Sequence, residues 1–82
     1  MITGVAIKYK GKLYELDRPA RHDNIIRLIH EETGDMGIRG IQGFVTGDGE
    51  FLDRKSGVDY ALENGQIKKL NWPPNLYSED LW

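Results

Sequence analysis

Cysteine is missing from the 82-residue chain, and with it any disulfide framework. Histidine is nearly missing too: His22 and His30 are the only neutral nitrogen ligands on offer, too few for a structural zinc site. No stretch reaches the roughly 20 apolar residues of a membrane span, and Met1-Ile2-Thr3-Gly4-Val5 has neither the charged nor the long apolar region of a signal peptide. A soluble intracellular protein is expected. A broad positive field is also lacking: the net charge is −2 with both signs interspersed, which disfavours DNA as a partner. Neither Gly-x-Gly-x-x-Gly nor Gly-Lys-Ser/Thr occurs, so the glycines at 34, 37, 40 and 43 are read as a turning connection. Eighty-two residues make one domain near the lower limit for a self-sufficient core, where a partner subunit often adds stability.

What is present reads as a small α+β fold. Val5, Ile7 and Tyr9 alternate with Ala6 and Lys8, Lys10-Gly11 supplies a tight turn, and Lys12 to Leu16 returns as a second strand. Pro19 interrupts regular structure. A helix is then expected over about residues 24–33, with Asp23 as N-cap, Gly34 as C-terminal cap, and Ile25, Ile26, Leu28 and Ile29 facing inward. Gln42–Thr46 and Glu50–Leu52 form a hairpin around Gly47-Asp48-Gly49. It delivers Asp53, a second N-cap, into a helix over about residues 54–63 with Val58, Ala61 and Leu62 inward, closed by Asn64-Gly65. Gly57 inside that helix signals a close approach by another element. The order is β-β-α-β-β-α, with antiparallel hairpins packed on two helices.

Residues 1–70 thus form the domain, and 71–82 a Pro- and Trp-containing docking tail. Trp72, Leu76, Tyr77, Leu81 and Trp82 are too apolar for a free terminus, so the tail docks on its own domain or on a neighbour's. Pro73 and Pro74 would hold it extended, within reach of a neighbouring protomer. A homo-oligomer is expected, a dimer at least, with a tetramer compatible.

The chemistry concentrates at the two helix starts. A helix N-terminus is positive and favours acidic neighbours, yet Arg18, Arg21 and His22 precede the first helix, and Arg54 and Lys55 open the second. Basic side chains beside free backbone N–H groups make a phosphate-binding corner. Arg21 and His22 would form one anchor, and Arg54 and Lys55 a second. Phe44, Tyr60 or Tyr77 could stack on a nucleobase, and Gln42 could read a base edge. No catalytic constellation emerges. Ser56 and Ser78 lack a nucleophile's context, His22-Asp23 is a poor acid–base pair because Asp23 serves as a cap, and Asp48, Glu50 and Asp53 lack the calcium-loop spacing. A non-enzymatic binding module without metal or cofactor is expected.

Several blocks carry a resemblance that spans nearly the whole chain. They are Ala6-Ile7-Lys8-Tyr9-Lys10-Gly11, Arg21-His22-Asp23-Asn24-Ile25-Ile26, Gln42-Gly43-Phe44-Val45-Thr46, Gly49-Glu50-Phe51 and Asp53-Arg54-Lys55. Gly65-Gln66-Ile67 and the closing Leu76-Tyr77-Ser78-Glu79-Asp80-Leu81-Trp82 complete the set. The layout resembles a small family of tailed-phage proteins, and within it the fourth type of anti-CBASS sponge. The first type of anti-Thoeris sponge is similar in its strand–helix–hairpin–helix order. The resemblance implies sequestration, in the host bacterial cytoplasm, of a cyclic dinucleotide immune signal, typically 3′,3′-cyclic GMP–AMP. It also implies pockets formed between protomers, and it carries ligand contacts onto Arg21, His22, Gln42 and Arg54. Ser56-Gly57-Val58-Asp59 stands where relatives have an Ala-rich helix start, so the resemblance carries no pocket shape over there. Two other classes fit the residues: a phage inhibitor that grips a host enzyme through the tail, and an enzyme that cleaves the same nucleotides.

Overall fold

The computed structural model describes residues 1–82 as a four-stranded antiparallel sheet carrying its helices on one face. In chain order the elements are β1 (Ile2–Tyr9), β2 (Lys12–Asp17), α1 (His22–Thr33), β3 (Ile41–Thr46), β4 (Phe51–Asp53), α2 (Arg54–Glu63) and α3 (Ser78–Leu81). The expected β-β-α-β-β-α order is present, and the tail adds a short third helix. The sheet order is β2-β1-β3-β4, so the two hairpins join along β1 and β3.

Lys10 and Gly11 turn the first hairpin with φ of 49° and 77°, a left-handed pair in which glycine avoids the Cβ clash. Register aligns the inward residues: Val5 faces Phe44, Ile7 faces Tyr14, and Phe44 faces Leu52. Side chains alternate along a strand, so these residues share one face, and Ile25 and Ile29 of α1 and Ala61 of α2 close over it. Each large apolar side chain buried there contributes about 1.5–3 kcal/mol. Leu28 and Leu62, expected inward, stand at the surface, because each falls on the flank of its helix rather than on the stripe that meets the sheet. After α2 the chain returns to β1, where the Gln66 amide imitates a strand partner. Its Oε1 accepts from Ile2 N–H at 2.8 Å and its Nε2 donates to Ile2 C=O at 2.9 Å.

Residues 71–82 dock on their own domain. Leu76 is fully buried in the core, and a Cβ placed on Gly57 would lie 3.1 Å from Leu76 Cδ2 and 3.3 Å from Phe44 Cδ2. Glycine in α2 therefore admits the tail, as expected of a close approach. The Leu76 N–H donates to Arg54 C=O at 3.2 Å, and the Trp82 indole donates to Ala20 C=O at 3.1 Å. Of the two dockings left open by the sequence, on its own domain or on a neighbour's, this fold takes the first. Asn75 N–H donates to Trp72 C=O, so the Pro segment turns back onto its own sheet, where Leu76 finds an apolar site.

Candidate functional site

The first helix start differs from expectation in a way that creates a site. Asp23 is not the N-cap; it lies inside the first turn of α1, and Arg21 occupies the cap position. The reason is Asn24, whose Oδ1 accepts from Arg21 N–H at 2.7 Å and fixes the entry of the chain. An arginine side chain has only donors, so it cannot satisfy the helix's own leading N–H groups. Those of His22 and Asp23 have no partner within the fold. The second helix start is closed. Asp53 Oδ1 accepts from Lys55 N–H at 3.0 Å and Ser56 N–H at 2.7 Å, and these bonds, Ser56's first, lower the Asp53 pKa. Two anchoring corners were expected; Arg54 lines the cleft that holds Arg21 as well as the neighbouring one that holds Lys55, so the two adjoin.

That cleft, of about 370 Å³, is lined by Arg21, His22, Asp23, Gln42, Arg54, Tyr77, Ser78 and Glu79. Arg54 is its best-organised group. Its Nη1 donates to Leu76 C=O at 2.9 Å, its Nη2 donates to Gln42 Oε1, and its guanidinium lies 4.4 Å from the Tyr77 ring centroid. Stacking on an aromatic face steadies a planar cation, and the remaining N–H donors are left for a ligand. No carboxylate comes within ion-pair distance of Arg54. Burial lowers its pKa, with Tyr77 and Glu79 opposing, and an arginine stays charged regardless. Arg21 is half-exposed and looser: its Nη1 lies 3.8 Å from Glu79 Oε1, too far for a hydrogen bond. That same nitrogen is shielded from water and has no hydrogen-bond acceptor.

The other expected residues separate by position. His22 is buried: its Nε2–H donates to Gly43 C=O at 2.7 Å, and its ring meets Phe44 edge-on at 5.3 Å. A carbonyl only accepts, so Nδ1 is the nitrogen left over. Phe44 is fully buried beneath the cleft and cannot stack on a ligand, because β3 turns it toward α2 and Leu76. Tyr60 is remote from the cleft. Its hydroxyl accepts from the Met1 amine at 2.7 Å, since six helical steps place it about 240° around α2 from Arg54. Lys55 is exposed and lines a second cleft of about 420 Å³, with Gly40, Gln42, Asp53, Arg54 and Asn75. Gln42 and Arg54 border both clefts. Ser78, weighed from sequence only as a nucleophile, and Glu79 were not expected to line the cleft. Their signal was the acidic first turn of a short helix after Tyr77, where Asp80 Oδ2 accepts from Tyr77 N–H at 2.9 Å. The fold brings no three His, Cys, Asp or Glu side chains together as a metal site.

The position of His22 gives the protein a pH-dependent stability. Burial, assisted by the charge of Arg54, lowers its pKa below 6.5, while the bond to Gly43 opposes this. The unfolded chain therefore binds a proton at a higher pH than the folded one. Stability should be fully present above about pH 6.5 and decline as pH falls below it toward the folded-state pKa. Urea midpoints measured from pH 7.5 to 5.5 should fall for the parent and stay nearly flat for His22→Gln.

The full length, residues 1–82, matches a family model described as Phage T4 y16D protein. No curated protein and no solved structure matches the chain.

Proposed function

This chain belongs to the phage T4 y16D protein family, and on that premise we propose that it is a sponge for a cyclic dinucleotide immune signal. It binds the signal without cleaving it in the cytoplasm of the host bacterium, and so keeps it from the CBASS effector. The preferred ligand is 3′,3′-cyclic GMP–AMP. The observation that carries this reading is the Arg54 guanidinium, fixed over Tyr77 with no carboxylate partner and facing the unpaired start of α1. Such a cation, held in place before ligand arrives, loses little entropy when it meets a phosphate. Gln42 keeps its Nε2 donors free, because only its Oε1 is engaged by Arg54.

Size supports a ligand larger than one nucleotide. A cleft of about 370 Å³ sits at the small end of ligand pockets, and the neighbouring cleft of about 420 Å³ shares Gln42 and Arg54 with it. A cyclic dinucleotide draped over Arg54 uses both. The outer side of this double cleft is open, and a second protomer in a homo-oligomer closes it. The tail favours the sponge over a tail-mediated inhibitor of a host enzyme, because Leu76, Leu81 and Trp82 are spent inside the fold.

Recovery of the ligand tests the proposal. Protein mixed with an equal amount of 3′,3′-cyclic GMP–AMP, desalted, heated and chromatographed should release the nucleotide intact. Linear product growing with time and protein would place the chain among nucleotide-cleaving enzymes, and no retained nucleotide would end the sponge reading.

A further inference from the structure

We propose that Trp72, Tyr77 and Glu79 form a nucleobase subsite that selects guanine. This inference rests on the nucleotide-binding reading above and assigns the half of the ligand that the arginines do not touch. Trp72 is 54% exposed in a tail that otherwise buries its large apolar side chains. Its ring meets Tyr77 edge-on, at 5.9 Å and 89°, which fixes the indole plane. A cavity of about 300 Å³ is lined by Trp72, Tyr77 and Glu79, and it shares Tyr77 and Glu79 with the arginine cleft. The two spaces therefore border on each other, with the arginines lining one and the Trp72 ring the other. Tyr77, a candidate to stack on a base, already has Arg54 over its ring, which leaves Trp72 as the broad aromatic surface.

Glu79 decides which base fits. Its Oε1 accepts from Ser78 Oγ at 2.8 Å, and its Oε2 has no partner. A carboxylate accepts and never donates, so beside a phosphate it would only repel. It is favourable where the ligand presents donors. Guanine offers two adjacent ones, the ring N1–H and the exocyclic amino group, which pair with the two oxygens of one carboxylate. Adenine offers an amino group beside a bare ring nitrogen whose lone pair opposes the second oxygen. The cleft's mixed charge thus matches a ligand that is anionic at its phosphates and donor-rich at its base edge.

Calorimetric titration with cyclic di-GMP, 3′,3′-cyclic GMP–AMP and cyclic di-AMP tests the subsite. The parent should bind cyclic di-AMP at least about tenfold more weakly than the two guanine ligands. Glu79→Gln should weaken the guanine ligands by about tenfold or more and leave cyclic di-AMP no weaker. Trp72→Ala should weaken all three by about tenfold, with Trp72→Phe restoring most of the loss. Trp72 and Glu79 are exposed, so these variants keep the fold, which far-ultraviolet circular dichroism verifies. Equal binding of all three ligands by the parent, or a preference for cyclic di-AMP, overturns the guanine subsite and leaves the phosphate site standing. No binding of any of the three overturns both.

Discussion

Replacing Arg54 by Ala should reduce cyclic-dinucleotide affinity by about tenfold to a hundredfold, since a hydrogen bond to a charged group contributes about 1.5–3 kcal/mol. The same change leaves Leu76 C=O and Gln42 Oε1 without their donor, so stability should fall too, by about 1–3 kcal/mol. Arg54→Lys separates the two effects. A lysine keeps the charge but reproduces neither the planar stack on Tyr77 nor the fork that holds Leu76 and Gln42 together. Affinity should stay near that of the Ala variant if geometry governs, and return toward the parent if charge alone suffices. Arg21→Ala should weaken binding by a smaller factor with little effect on folding, because Arg21 is half-exposed and bonds to nothing closely. Titration calorimetry with 3′,3′-cyclic GMP–AMP, alongside urea unfolding of each variant, measures all of these. Parent-like affinity in both Arg54 variants would refute the anchoring role.

The second large effect lies in the tail. Leu76→Ala should destabilise the domain by about 2–5 kcal/mol, the range for truncating a buried leucine. Ending the chain at Asn75 should do more. It removes Leu76 from against Gly57 and Phe44, the acceptor of Arg54 Nη1, and the indole that bonds Ala20. Since small domains hold only about 5–15 kcal/mol in reserve, the shortened chain should be largely unfolded rather than a smaller folded species. Circular dichroism and light scattering distinguish these outcomes. A folded, cooperatively melting chain of residues 1–75 would show that the tail is an accessory instead of a core element.

Much of this architecture is legible in local patterns. The period-two run from Val5, the left-handed turn at Lys10-Gly11, the Asp53 cap and the out-of-place Gly57 all act over a few residues, and each appears where the sequence points. The Asp23 cap misleads because Ser, Thr, Asn and Asp compete for the same role. Asn24 secures the entry to α1 from three positions in, and that choice depends on the path of the chain before it. Phe44 and Tyr60 mislead for a different reason. An aromatic residue suits a core, a hydroxyl contact or a base equally well until its neighbours are known.

The α+β class, the two hairpins, the two main helices and the residue types that an anionic ligand needs can be read from local order alone, because all of these are written in spacings of two to four residues. The grouping of the cations is set by the tertiary structure, which makes Arg54 line both the Arg21 cleft and the Lys55 cleft beside it. Arg21 and Arg54 lie 33 positions apart and line one cleft because His22 bonds to Gly43 and Arg54 to Gln42, neighbours on β3. The tertiary structure also decided that Leu76 completes the core while Trp72 stays at the surface. Both outcomes depend on long-range packing, where an apolar side chain settles wherever a complementary cavity exists. The cavity beside Gly57 is built by β3 and α2 together, and no local stretch of the sequence encodes it.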